Sequence, residues 1–231
     1  MLKYLIFTCI ICVNFSCNYS SGSGNIVTEK RNVGSFHGIS ASQGFDVEVS
    51  IGSNNEVTIE ADDNLMHSVE TSVNSGVLKI SLDKHNVSNA HLKAFITATS
   101  IDILKASSSA SIIMKNELNY TGNVKLETSS AGNITSVINA PSVEADASSG
   151  SEINIRGRTK DLDAQSSSGA SIKAFDLLSE NTKASGSSGA SLQVHASVNL
   201  NASASSGANI SYRGGANIKK SVSSGGEVHK E

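Results

Sequence analysis

The chain has 231 residues and a formal net charge of −3, so it lacks the basic field that nucleic-acid binding requires. It contains no Trp, one Pro, 4% aromatic residues and 19 Gly, a composition ill suited to a core of large side chains. The choice therefore lies between disorder and an architecture that packs small residues in regular layers.

Met1-Leu2-Lys3 leads into an apolar run over residues 4–13, then Asn14-Phe15-Ser16-Cys17 and a polar stretch over 18–24. One positive charge, a short apolar run and a small residue at a boundary make a secretory signal. The run is too short to cross a bilayer, which takes about 20 residues. The placement of Cys17 resembles a bacterial lipoprotein signal, in which the cysteine is lipidated and becomes the mature N-terminus; Asn14 stands where that signal usually has Leu. The expected organisation is a leader over 1–17, a flexible Ser/Gly tether over 18–25 and one β domain over 26–231. Cys9 and Cys12 leave with the leader, so the mature chain has no free thiol, disulfide or cysteine metal site. The expected address is the bacterial cell envelope, as an outer-membrane lipoprotein facing the periplasm or the surface, held to the membrane through a lipid anchor only. No acidic run follows Cys17 as a cue for surface display.

Strand-like alternation then begins with Phe45-Asp46-Val47-Glu48-Val49-Ser50-Ile51, Val57-Thr58-Ile59-Glu60-Ala61 and Val77-Leu78-Lys79-Ile80-Ser81-Leu82. Gly52-Ser53-Asn54-Asn55 and Asn74-Ser75-Gly76 supply turn chemistry, and Asp62-Asp63-Asn64-Leu65-Met66 is the one helical turn expected. Residues 26–100 read as less regular opening rungs that cap the remainder of the domain.

From Ser107 one phrase recurs, opening on Ser107-Ser108, Ser129-Ser130, Ser148-Ser149, Ser167-Ser168, Ser187-Ser188, Ser205-Ser206 and Ser223-Ser224. Successive first serines are 22, 19, 19, 20, 18 and 18 residues apart, a near-fixed period that marks a solenoid over 101–231. Five residues before the serines stand Val124, Val143, Leu162, Thr182, Leu200 and Ile218, and two residues after those come Leu126, Ala145, Ala164, Ala184, Ala202 and Lys220. Polar residues alternate with them at period two, as a strand with one buried face requires. A second short strand follows each phrase, carrying Ile153, Ile172, Leu192 or Ile210 inward. The predicted fold is all-β: a parallel β-helix, or β-solenoid, with rungs of about 18–22 residues stacked about 4.8 Å apart. Each Ser-Ser-Gly-Ala phrase then makes the same corner, with Gly150, Gly169, Gly189, Gly207 and Gly225 supplying unusual dihedrals. Lys220 breaks the inner pattern and marks a solvated terminal rung, and the open strand edges of such ends are a route to homo-oligomers.

Phe36-His37-Gly38-Ile39 followed by Gly44-Phe45-Asp46-Val47-Glu48-Val49, then Gly76-Val77-Leu78-Lys79-Ile80 and the serine corners, resemble the bacterial family known as putative auto-transporter adhesin, head GIN domain. The resemblance covers nearly the whole mature chain. It implies a right-handed parallel β-helix in exported proteins, often lipoproteins, and carries no catalytic or ligand residues with it.

The serine pairs lack a nucleophile elbow and a recurring His, so they read as corners and no catalytic residue is assigned. In the expected register Glu144 lies beside Asp163 and Glu127 beside Asp146 on the outer face. Such a patch can bind calcium or divide into acid and base for glycoside chemistry, although Lys125 and Lys183 flank it and partly neutralise it. His37, His67, His85, His91, His195 and His229 show no metal-ligand spacing, and no cofactor motif is present. The reading is a non-enzymatic envelope protein, an adhesin or a scaffold binding an envelope polysaccharide or a protein. The alternative is a polysaccharide-active β-helix enzyme using the acidic patch.

Overall fold

The computed structural model describes residues 20–84 and 86–231; the expected leader, Cys17 and His85 lie outside the described residues. The described chain is all-β apart from one helical turn, Asp63–Met66, and winds into a β-solenoid of about seven turns.

Its regularity starts at the corners. The second serine of every pair has positive φ, from 47° at Ser224 to 54° at Ser149, and so does the residue after it. That second residue is Gly150, Gly169, Gly189, Gly207 or Gly225 in five corners, with φ between 68° and 74°. An added Cβ at these five glycines would meet nothing within 4 Å, so glycine is favoured there by backbone conformation and not by space. Ser109 and Ala131 hold the same left-handed position in the first two corners. The corners stack through their backbones: the amides of Ala131, Gly150, Gly169, Gly189 and Gly207 donate to the carbonyls of Ser149, Ser168, Ser188, Ser206 and Ser224.

With the corners stacked, the strands fall into parallel register. Val124, Val143, Leu162, Thr182, Leu200 and Ile218 form one column, and Leu126, Ala145, Ala164, Ala184, Ala202 and Lys220 the next. Through Leu200 and Ala202 these positions are buried, and the second column is alanine from Ala145 to Ala202, so it packs with small side chains beside the larger first column. Thr182 fits an apolar column because its hydroxyl donates to the carbonyl of His195 at 2.7 Å. Across the corner a second ladder runs through Val47, Ile112, Ile134, Ile153, Ile172, Leu192, Ile210 and Val228. In the last rung, Asn217–Val222 is exposed at every position, Lys220 included.

The opening region is less regular, but its rungs do not stack in chain order. Gly38–Ala41 and Asp46–Ile51 form a regular rung whose corner, Gln43 and Gly44, has the same paired positive φ. This rung lies between the first rung of the array, Ile103–Ala106 with Ser111–Met114, and the strands Val77–Leu82 and Leu92–Ala98, which come later in the chain but sit further out. Three antiparallel pairings complete the cap: Val69–Asn74 on Val77–Leu82, Glu56–Asp62 on Leu92–Ala98, and Ile26–Arg31 on Glu56–Asp62. Ile59, Leu65, Leu78 and Ile80 are fully buried here, as comparable aliphatics are in the array; what the cap adds is buried phenylalanine, Phe36 and Phe45, which the array core lacks.

The described part of the expected tether, residues 20–25, differs from a free linker. Ser20–Ser21 pairs in parallel with Val87–Ser88, and the segment after it is held by side chains of the Asp62–Asn64 turn. Ser/Gly composition favours flexibility, but here its backbone donors find fixed acceptors and the segment is ordered.

Candidate functional site

On the outer face, the side chains next to the corners form a column. Lys105 pairs with Glu127, Glu127 with Asp146, Asp146 with Gln165, Gln165 with Ser185 and Ser185 with Ser203. Beside that column run the first corner serines Ser107, Ser129, Ser148, Ser167, Ser187 and Ser205. The two rows line an open groove of about 730 Å³ that reaches from Ser40 to Ser205. Six strand spacings make it about 29 Å long. Its lining has no aromatic residue and no His. Every rung adds a serine hydroxyl, able both to donate and to accept, at the repeat distance of the sheet.

The groove is charged at one end and neutral at the other. The sheet brings together the four expected carboxylates in the expected register, Glu127 beside Asp146 and Glu144 beside Asp163. Their environments separate them. Lys105 and Lys125 donate to Glu127 at 2.7 and 2.8 Å, Lys183 donates to Asp163 at 2.9 Å, and Asn123 donates to Glu144 at 3.2 Å. No hydrogen bond or ion pair to the Asp146 carboxylate is formed among the described residues. Burial raises the Glu127 carboxyl, but the bonds from Lys105 and Lys125 outweigh it and leave Glu127 below its ordinary value. Burial likewise raises Asp146; the opposing pull of Lys125 is met by repulsion from Glu127, Asp163 and Glu144, and Asp146 ends above its ordinary value.

Lys105 is the groove residue that sequence reasoning missed. It stands two residues before Ser107, as Glu127 stands before Ser129, and the rung keeps the common register: Leu104 pairs with the inner Leu126, and Ile103 pairs with Lys125 instead of continuing the inner column. The five corner glycines lie at the turns, outside the groove lining. Among the described residues no group of three or more His, Cys, Asp or Glu side chains is arranged to hold a metal ion. The described histidines stand apart: His37 contacts Asp102, His91 contacts Glu60, and His195 packs by Ser179.

No curated protein matches the chain. Several solved structures share its fold. A putative adhesin from Bacteroides fragilis NCTC 9343 superposes with a TM-score of 0.83 at 20% identity, covering 91% of this chain and 98% of that one. A putative adhesin from Parabacteroides merdae ATCC 43184 gives 0.73 at 20% identity, covering 93% and 100%. A putative lipid binding protein from Parabacteroides distasonis ATCC 8503 gives 0.74 at 23% identity, with the same coverage. The family model described as putative auto-transporter adhesin, head GIN domain matches residues 35–216, and the chain belongs to that family.

Proposed function

We propose that this protein is a lipid-anchored cell-envelope binding protein that holds a linear, hydroxyl-rich polymer along its serine groove. The observation that carries the reading is the groove itself: a polar channel with at least one serine hydroxyl per rung, open along its length, and formed from rows that repeat at sheet spacing. A polymer with its own repeat meets many equivalent weak sites in such a channel, and affinity accumulates with contact length. The absence of aromatic lining favours a ligand bound by hydrogen bonds over one held by ring stacking. Family membership supports an exported location, and Cys17 at the end of an apolar run supports the lipid anchor. The test is binding of purified protein to a panel of envelope polysaccharides by calorimetry, with wild type set against Ser185→Arg, which puts a bulky charge in mid-groove. At least a tenfold loss of affinity in the variant, with unchanged thermal unfolding, is expected; equal affinity would remove the groove from the account.

One observation favours a polysaccharide-active enzyme as a second reading. Glu127 and Asp146 face each other on neighbouring strands with carboxyl groups pushed in opposite directions, the arrangement that separates a base from an acid. A strand spacing of about 4.8 Å is close to the ~5 Å carboxyl separation of retaining glycosidases. This reading expects release of reducing ends from a glycan, lost in Asp146→Asn and Glu127→Gln but not in Glu144→Ala or Asp163→Ala. No turnover by wild type on acidic, neutral or amino-sugar polymers would reject it.

A further inference from the structure

The best-built polar cluster outside the groove is the clamp on residues 20–25. The Ser20 amide donates to the Asn86 carbonyl at 3.0 Å, and the Gly22 amide to the Ser88 carbonyl at 3.2 Å. Asn64 then grips the chain from both sides, accepting from the Ser23 amide at 3.1 Å and donating to the Ser21 carbonyl at 2.9 Å. Asp62 is buried, with 1% of its surface exposed, and takes the Gly24 amide on one oxygen and the His91 amide on the other, both at 2.7 Å. Asp63 accepts from the Ser23 hydroxyl at 2.5 Å and from Asn25 at 2.7 Å, and these bonds hold its carboxyl below the ordinary range. A side chain at Gly22 would collide with Asp62 and with the Asn89 carbonyl, so the chain passes here only as glycine. Ordering each residue of a Ser/Gly segment costs about 1–2 kcal/mol. A clamp of this completeness offsets that cost, and a spacer needs none.

All the clamp residues belong to the cap. Between Cys17 and Ser20 only three links of chain remain, at most about 10 Å when fully extended. From the cap strand Val69–Asn74 to the last rung, Asn217–Val222, there are nine strand pairings, on the order of 43 Å.

We propose that the clamp makes the antiparallel cap the membrane-proximal face of the protein, so that the solenoid stands on the bilayer and extends its serine groove away from it. The proposal rests on the reading of Cys17 as a lipid anchor. The partner surface is a phospholipid bilayer, and the clamp replaces a swinging tether by a short leash. The far rungs, with the neutral end of the groove, are then the part presented to a polymer.

The test uses the full lipidated chain in vesicles of phosphatidylethanolamine and phosphatidylglycerol that carry a headgroup acceptor dye. The mature chain has no cysteine beyond Cys17, so Ser72→Cys in the cap and Ser221→Cys in the last rung each give one donor position. Energy transfer is expected to be several-fold higher from position 72 than from 221. A ten-residue Gly/Ser insertion between residues 19 and 20, or the Asn25→Ala, Asn64→Ala double variant, is expected to narrow that difference while thermal unfolding stays near wild type. Equal transfer from 72 and 221 in wild type, or a difference untouched by both the insertion and the double variant, would overturn the proposal. Failure of wild type to float with vesicles would instead reject the lipid anchor, and the two failures are distinct.

Discussion

The cap and the array solve the same problem, a sheet edge, in opposite ways. The array hides each strand under an identical neighbour, and its core needs only alanine, serine and single β-branched or leucine side chains. The cap has no identical neighbour to stack on. It folds the chain back, covers the first regular rung with later residues, and adds the buried aromatics Phe36 and Phe45 to its aliphatic core. Its edge strand Ile26–Arg31 carries Glu29, Lys30 and Arg31, charges that discourage further edge pairing. Repetition gives order with aliphatic side chains alone, and where it ends buried phenylalanine appears.

Phe45 sits at the seam between the two regions, in the corner position that Ala110, Ala170, Ala190 and Ala208 take in the array, and is fully buried. Phe45→Ala is expected to cost about 3–5 kcal/mol in chemical denaturation, whereas the alanine already present in the array shows the same volume is not needed there. A loss under about 1 kcal/mol would mean that cap and array do not share one core.

Corner conformation gives the next effect, and it has two signs. Gly169→Ala places a Cβ at φ 70° and is expected to lower stability by roughly 1–2 kcal/mol. Ala131→Gly relieves the same strain at φ 61° and is expected to raise stability by a few tenths to about 1 kcal/mol, since the unfolded chain also gains freedom. If both changes destabilise, then what Ala131 touches matters more than its backbone.

A smaller, pH-dependent effect belongs to Asp146. Its folded pKa is raised above the unfolded value, so the folded state binds the proton more tightly, and that contribution is lost as pH rises through the folded pKa. Asp146→Asn should therefore gain stability relative to wild type above that pKa and lose the advantage as pH falls below the unfolded value. Glu127 has the opposite sign: its lowered pKa contributes stability above the unfolded value that disappears as pH falls through the folded one. Stability curves of Asp146→Asn and Glu127→Gln against pH should accordingly diverge in opposite directions.

The array was legible because period, alternation and corner all repeat, so the register Val124-Val143-Leu162 and the pairing of Glu144 with Asp163 follow from the spacing alone. The cap was less so. Alternation marks a strand but not its direction, and nothing local distinguishes the antiparallel Glu56–Asp62 from the parallel Asp46–Ile51. The corner at Gln43-Gly44 escaped notice because Gln stands where every later corner has Ser. Docking of residues 20–25 was invisible because its partners, Asp62, Asp63 and Asn64, lie about forty positions away and composition speaks only for local preference. In the groove, the acidic rows were readable and the isolation of Asp146 was not, since it depends on Lys105, Lys125 and Lys183 each choosing another carboxylate.

Affinity as a function of ligand length tests groove binding most directly. With size-fractionated oligomers of the tightest-binding polysaccharide, the account predicts that affinity for the wild type rises with each added unit until the ligand spans about 29 Å, six strand spacings, and then levels off. A monomer or dimer that binds as tightly as the long polymer would contradict it, because a short pocket and not a groove along the solenoid would then hold the ligand.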